Sequence, residues 1–575
     1  MSAPHGGAEG YNYPLQSSTA HLAGPGEKSA GMTQRSSFSP TVSRKKKPWI
    51  WITVAAVAIV VILAAVLGGV LGSRAANNDN KNNSAEAGGS SSSSSSGGKS
   101  KSGGKANGTL VDIVDLPAWN WGTNKSIGMC LGSLFILEKW MLPDWFNDTV
   151  NAVQPGSGAT ALDEWAFMEV LGQDAGRAAL EEHFNAFVTE DDIQTLYENG
   201  INMLRIPVGY WAFIPTTGDE PYLNDTSLYH AHIERLLGYA YNRGMYAIID
   251  MHGLPGSQNG EQSSGQLTTS PTWFGSSADT LTPNQQRSDD LVKAVTEWVA
   301  ASPYRSVVAG IEVINEPRPY TEDQNQQLMK YYERSYQTIQ ASEWPVATFI
   351  HDGYTNFTYY YDFASAHATD PPSMVMVDHP YPGNFPPQDN SADILSQVCT
   401  AGNKYLSYPI PVCIDEFGVY TGVKDQAFET EFYKQQIVSW AWSAGSMYWS
   451  YKLITSQQDL ANGLDYSQYS WSTLLSNNSA TIPKPSDYGI NSTTSSEGAS
   501  AYLAALAGDL TSSCGDVPSN TAPYANGSFT VSPWSAEQSA RSSAAGQTLT
   551  ATSTTISSAA PTATVRAKRA MLMRG

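Results

Sequence analysis

Basic residues are scarce in this chain. It carries 33 Lys and Arg against 53 Asp and Glu, a net charge of −20, and the basic side chains form no stripe along its globular part. A surface that neutralises phosphates needs such a stripe, so nucleic-acid binding is argued against. Cysteine is scarcer still: Cys130, Cys399, Cys413 and Cys514 are the full set, and none stands in a CxxC or other metal-ligand spacing. The three complete pairings of four cysteines all stay open. Cys399 and Cys413 are near enough in sequence to close a short loop in an oxidising compartment, whereas Cys130 and Cys413, both in apolar stretches, also read as buried free thiols. A His-x-His pair occurs only as His230 and His232, within a predicted helix rather than at the end of a first strand. That argues against metal-assisted hydrolysis, and no metal or organic cofactor is implied.

Charge is missing altogether from Pro48 to Ser73. The run Ile50–Leu71 is long enough for one helical crossing of about 30 Å of hydrocarbon. Trp49 and Trp51 mark one interface, and Arg44-Lys45-Lys46-Lys47 stands just before it. The positive-inside bias puts residues 1–47 in the cytoplasm and everything after 73 outside. About 50 residues precede the run, which favours an uncleaved signal-anchor over a signal peptide. Every N-x-S/T sequon, from Asn82 to Asn526, lies on the expected outer side. Residues 74–109, rich in Ser, Gly, Asn and Lys, read as a flexible linker, and residues 508–575 as a disordered Ser/Thr-rich tail.

What remains, residues 110–507, has the patterning of a folded domain. Strands are predicted at Lys125–Phe135, Ile201–Val208, Met245–His252, Val307–Glu316, Val346–Gly353, Met374–Tyr381, Pro411–Phe417 and Ser446–Lys452. Helices are predicted between them at Asp191–Asn199, His230–Asn242, Asp289–Ala301, Leu328–Ala341 and Ala427–Ser443. Residues 140–190 read as an insertion after the first strand. Repeated strand–helix units with functional residues at the strand ends predict an α/β fold, a (β/α)8 barrel with loop insertions.

The strand ends gather chemistry. Glu138 follows the first, Arg205 lies near the end of the second, His252 is on the third, and Asn315 and Glu316 end the fourth. His379 and Tyr381 end the sixth, Glu416 the seventh, and Trp449 lies on the eighth. In a barrel these ends converge on one pocket. Two carboxyls there suit glycoside hydrolysis, one donating a proton to the leaving oxygen and one attacking the anomeric carbon, with polar groups for hydroxyls and an aromatic face for the sugar. Bland alternatives stand beside this. Arg205 reads as a buried ion-pair partner, His252 as a loop brace, Glu138 as a solvated charge, and Glu312 as a structural group facing the barrel interior. Asp250 and Asp415 are expected to point away from the pocket.

The segments IGMCLGSLFILEKWMLPDWF, LRIPVGYW, IIDMHGLPGSQNG, INEP, His379-x-Tyr381, DEFG and Trp449 stand in order over roughly 125–480. Together they resemble glycoside hydrolase family 5, in particular the fungal exo-β-1,3-glucanases. The resemblance implies a retaining mechanism with Glu316 as acid/base and Glu416 as nucleophile. It implies that Asn315 holds a 2-hydroxyl and that His379 and Tyr381 orient the pair. Arg205 would keep Glu416 ionised by lowering its pKa, and Glu138, His252 and Trp449 would line the first sugar site. The chain departs from the pattern at Glu261, where many exo-acting relatives carry an aromatic; Trp273, Phe274 and Phe385 are candidate substitutes. It also departs at Asp415 and at Gly132-Ser133-Leu134.

The expectation is a type II membrane-anchored glycosidase outside the plasma membrane, acting on β-1,3-glucan of the fungal wall and releasing glucose from non-reducing ends. Its partners would be β-glucan and, through one helix, the lipid bilayer. A β-1,6-glucanase, a transglycosylating glucan remodeller and an inactive glucan-binding scaffold are the alternatives.

Overall fold

The computed structural model describes residues 113–406, 408–477, 481–511 and 514, with the two-residue strands Thr530–Val531 and Thr554–Thr555. The expected cytoplasmic tail 1–47, membrane segment 48–73 and linker 74–109 lie outside the described residues, as does most of the expected tail 508–575. Among the described residues no helix is long and apolar enough to cross a membrane.

Eight parallel strands close a barrel in sequence order: β1 (Ser126–Cys130), β2 (Met203–Gly209), β3 (Tyr246–Gly253), β4 (Val308–Glu312), β5 (Ala347–His351), β6 (Met374–Val377), β7 (Val412–Phe417) and β8 (Gly445–Tyr448). β8 pairs with β1 from Ser126↔Gly445 to Met129↔Tyr448, which leaves no open edge. Every strand residue is buried. That is the physical reason these segments read as near-continuous apolar runs rather than alternating ones. Five strands stop short of their predicted ends, at Cys130, Glu312, His351, Val377 and Tyr448. Beyond β4 the pairing becomes irregular: Val313 N–H still reaches Phe349 O at 3.2 Å, while Asn315 N–H turns to Met251 O at 3.2 Å.

Helices cover the outside of the barrel. The insertion after β1 forms α1 (Pro143–Val153) and α2 (Glu164–Ala186), followed by α3 (Glu190–Glu198) and α4 (Thr226–Tyr241). Then come α5 (Pro283–Ala301), α6 (Glu322–Gln340), α7 (Tyr361–Ala366), α8 (Ser391–Tyr405) and α9 (Gln426–Trp440). After β8 lie α10 (Gln457–Ala461), α11 (Trp471–Asn477) and α12 (Ser496–Gly508). The starts are written in the sequence. Thr189 with Asp192, and Thr282 with Gln285, form capping boxes, and Pro283 opens α5 where its missing N–H has no partner to lose. Sequence patterning assigns no helix to α1, α2, α7, α8 or α10–α12; α7 is only six residues long, and in α8 Gly402 takes one place on the buried face.

The lower barrel is filled by Trp121, Met203, Ile248, Phe349, Val375 and Met447. Gly128 and Gly310 make room for two of them: a Cβ at either would sit within 2.4 Å of Met447 or 2.5 Å of Phe349. Trp121 plugs this end, its indole N–H donating to Ala309 O at 3.0 Å.

The disulfide joins Cys399 of α8 to Cys514, and Cys130 and Cys413 are buried free thiols. The short Cys399–Cys413 loop therefore does not form, because Cys413 lies on β7 with its sulfur 3.7 Å from Ser126 Oγ. The chain stays tied to the helical layer beyond the expected boundary at 507.

Candidate functional site

Arg205 organises the upper barrel. It is fully buried, with Nε donating to Glu312 Oε2 at 2.7 Å, one terminal nitrogen to Glu416 Oε1 at 2.8 Å and the other to Asn315 Oδ1 at 2.8 Å. Asp250 and Asp415 complete its ring of oxygens at 3.1 and 3.4 Å. A guanidinium presents five donors in a rigid fork, which is why one arginine can serve strands β2, β3, β4 and β7 together. The pKa shifts explain how so many acids share the space. Burial pushes the Glu312 carboxyl well above the carboxylate range, which favours its protonated form. Burial also opposes ionisation of Asp415, but Arg205 and His379 outweigh it and hold that carboxylate low.

Asp250 and Asp415 thus point inward, against expectation. Asp250 is two residues from His252, and a period of two puts both on one face. Asp415 shares the interior face with Cys413 in the same way. Glu416 joins it because the β7–β8 register shifts between Ile414 and Phe417. At the end of β4, consecutive Asn315 and Glu316 both reach the pocket because Glu316 adopts φ 45°. A non-glycine residue in that region stores backbone strain.

His379 connects the two glutamates. Its Nδ1 is 2.8 Å from Glu316 Oε1 and 3.6 Å from Glu416 Oε2, and its Nε2 is 2.9 Å from Asp415 Oδ1. Burial alone would keep the ring neutral, but Glu416, Asp415 and Glu316 around it raise its pKa well above the ordinary value, making it an imidazolium. Burial works against the Glu316 carboxylate, yet the His379 hydrogen bond and charge, helped by Arg318, hold its pKa below the usual range. Burial raises Glu416, and the opposing charges of His379 and Arg205 do not cancel that rise. The expected lowering by Arg205 exists but is outweighed by desolvation and by the neighbouring Glu316 charge. Tyr381 O–H donates to Glu416 Oε2 at 2.9 Å.

The remaining predicted residues form one wall. His252 Nδ1 meets Asp250 Oδ2 at 2.7 Å, and its ring stacks on Trp449 at 5.4 Å between centroids and 3° between planes. Trp449 lies one residue past β8, and its peptide bond to Ser450 is cis. Glu138 faces this wall with Oε1 3.9 Å from His252 Nε2, and accepts from the Trp140 indole at 2.9 Å. It is buried rather than solvated, and burial pushes its carboxyl up to about 7. All nine predicted residues therefore come together.

Others went unnoticed in the sequence. Gln258 donates to His252 O at 2.7 Å and Asn315 O at 2.8 Å, clamping the ends of β3 and β4. It stands inside the GSQNG segment, which was its only signal. His351 packs edge-on to His379 at 4.7 Å. Trp140, Tyr420, Tyr466 and Tyr469 form an aromatic rim with contacts between 4.9 and 6.0 Å; they come from three segments far apart in the chain, Tyr466 and Tyr469 sharing one. Of the candidate outer aromatics, Trp273 is fully buried against Tyr331, and Phe274 packs on it. Phe385 is half-buried beside Tyr381, 5.7 Å away. Glu261 pairs instead with Arg318 at 3.6 Å.

Glu316, His351 and His379, and likewise Glu312, His379 and Asp415, bring possible ligand atoms within 4.8 Å of one another. Both ring nitrogens of His379 already face carboxylates, and a cationic guanidinium sits among the acids. A resident cation fits this donor set poorly.

The Cellulase family, glycosyl hydrolase family 5, matches residues 169–452. The chain is 35% identical to glucan 1,3-beta-glucosidase 1 of Schizosaccharomyces pombe over 51% of its own length and 68% of that protein. It is 32% identical to a probable glucan 1,3-beta-glucosidase A of Aspergillus clavatus and 30% identical to a glucan 1,3-beta-glucosidase of Yarrowia lipolytica. Those matches span 64% and 65% of the two relatives and half of this chain. In fold it is similar to the crystal structure of rutinosidase from Aspergillus niger, with TM-score 0.51, 21% identity, and 59% of this chain and 93% of that one covered. With the motifs in order and the barrel closed, the chain belongs to glycosyl hydrolase family 5 and is a glycosidase.

Proposed function

We propose that this glycosidase hydrolyses β-1,3-glucan of the fungal cell wall with retention, releasing glucose from non-reducing ends. One observation carries the retaining mechanism. His379 Nδ1 stands 2.8 Å from one glutamate oxygen and 3.6 Å from the other. Two legs that short keep those oxygens closer together than the roughly 6.5–9.5 Å that an inverting pair needs to admit a water. Glu416, held by Arg205 and Tyr381, attacks the anomeric carbon while the glycosidic C–O bond breaks and Glu316 gives its proton to the leaving oxygen. The His379 imidazolium bonded to Glu316 is the nearest source of that proton. Water then gives a proton to Glu316, and its oxygen displaces Glu416. The linkage is supported by the names of the three fungal relatives.

The site of action is part of the same proposal. The uncharged run 48–73, the basic residues before it and the sequons after it support a type II anchor with the catalytic domain facing the wall.

The test uses the purified full-length chain on laminarin and on a β-1,6-glucan, with Glu316→Gln and Glu416→Gln as controls. Glucose of retained configuration from laminarin, lost in both variants, is the expected result. Cleavage of the β-1,6 polymer alone overturns the linkage. Glucan binding without turnover overturns the enzymatic reading in favour of a scaffold.

A further inference from the structure

The insertion helix α2 sends two buried polar side chains to the backbone of the loop that follows β1. Glu164, fully buried, accepts from Leu137 N–H at 2.7 Å. His183, beyond a kink at Gly172, meets the Ser133 carbonyl through Nε2 at 2.8 Å. Between those two points lies a loop whose end is Glu138, and Ser133 Oγ in turn accepts from Glu138 N–H at 3.0 Å. On its other side the loop is held by Gly132 N–H donating to Ser450 Oγ at 3.0 Å and by a bridge from Phe135 to Val208. Ser133 sits at φ 58°, a conformation that needs such external fixing.

We infer that Glu164 and His183 are positioning residues, a neutral brace that aims Glu138 into the pocket. The inference rests on the proposed role of Glu138 at the first sugar site. Neither brace residue touches the reacting atoms. A brace of this kind is least costly to bury while both groups are uncharged, because each is shut away from water. Glu164 faces the Leu137 amide, the Trp211 indole, the phenols of Tyr222 and Tyr229, and Asp163 on its own helix. None of these is a cation. Burial accordingly pushes its carboxyl up to about 8. His183 is enclosed by the rings of Trp145, Phe184 and Phe187, and burial lowers its pKa to about 4. Between those two limits the brace holds. Above the upper limit an ionised Glu164 keeps the Leu137 bond but is a buried charge with no counter-charge, and the opening that admits water to it loosens the loop carrying Glu138.

The sign is testable. The full-length chain and its Glu164→Gln, Glu164→Leu and Glu138→Ala variants are compared on laminarin from pH 5 to pH 9. Glu164→Gln mimics the protonated acid. It keeps the wild-type KM at pH 6 and holds it at pH 9, where the wild-type KM has risen. Glu164→Leu lowers kcat/KM at every pH by on the order of ten- to a hundredfold, mostly through KM, and adds nothing once Glu138 is Ala. An equal alkaline rise of KM in Glu164→Gln and wild type overturns the brace, as do fully additive effects of Glu164→Leu and Glu138→Ala. Where Glu164→Leu does not fold, the Glu164→Gln arm decides. Hydrogen exchange of residues 131–138 at pH 9 reads the brace without any sugar. Greater protection in Glu164→Gln than in wild type supports it even where glucan turnover fails, and equal protection overturns it.

Discussion

At the scale of single residues, the site is a problem in keeping buried acids apart. Arg205 and His379 hold together a cluster that would otherwise expel its charges, and burial shifts Glu312 towards its neutral form. Removing one partner of such a cluster costs about 3–5 kcal/mol, which makes Arg205 the residue least open to change. Tyr381 is a finer probe. Replacing it by Phe deletes one hydrogen bond to Glu416 without opening a cavity. A bond to a charged group is worth about 1.5–3 kcal/mol to the folded state, so the melting temperature falls, and kcat falls with KM nearly unchanged because Glu416 loses the donor that orients it. Steady-state kinetics beside a thermal melt checks this. Glu138 makes a different prediction. Its carboxyl, near 4.3 in an unfolded chain, is raised to about 7 by burial. Its contribution to stability is complete below the unfolded value and is lost as pH rises through the folded one. Melting temperatures measured from pH 4 to pH 8 should therefore fall more steeply for the wild type than for Glu138→Gln.

At the scale of elements, the parts most legible in the sequence are those whose burial is extreme. Strands such as β2 and β3 are apolar on both faces, and their polar exceptions, Arg205, Asp250 and His252, mark the pocket. The five helices marked by apolar period are present too, but α4, α5 and α6 begin at Thr226, Pro283 and Glu322, earlier than the predicted His230, Asp289 and Leu328. What the sequence hid depends on departures from regular period. Asp415 and Glu416 both face the pocket only through a register shift, and Asn315 and Glu316 only through a positive φ. Neither departure has a signature in residue type. The aromatic rim was hidden for another reason: Trp140, Tyr420 and Tyr469 lie in three loops that only the closed barrel brings together. The disulfide partner of Cys399 was equally beyond reach, since Cys514 follows α12 and lies 115 residues on. Closing a loop of that length stabilises by about 2–5 kcal/mol. Cys514→Ser should lower the melting temperature while leaving kcat and KM on laminarin unchanged, and wild type melted in reductant should match it.

At the scale of the whole molecule, the chain combines a barrel in which loops from all sides meet at one mouth with a C-terminal stretch pinned to the outer helices. The Cys399–Cys514 bond has a mechanical consequence. Tension applied between residue 113 and a handle after residue 514 travels along the backbone to Cys399, crosses the sulfur bridge and leaves. The enclosed segment, which holds β7, β8 and Glu416, lies off that load path. Pulling on a single oxidised molecule should therefore yield a contour shorter than that of the reduced one by the slack of the bypassed loop. At about 3.5 Å per residue, that deficit is roughly 400 Å. A load passing through Cys514 would reach the first six strands by the covalent chain before the strand that carries Glu416.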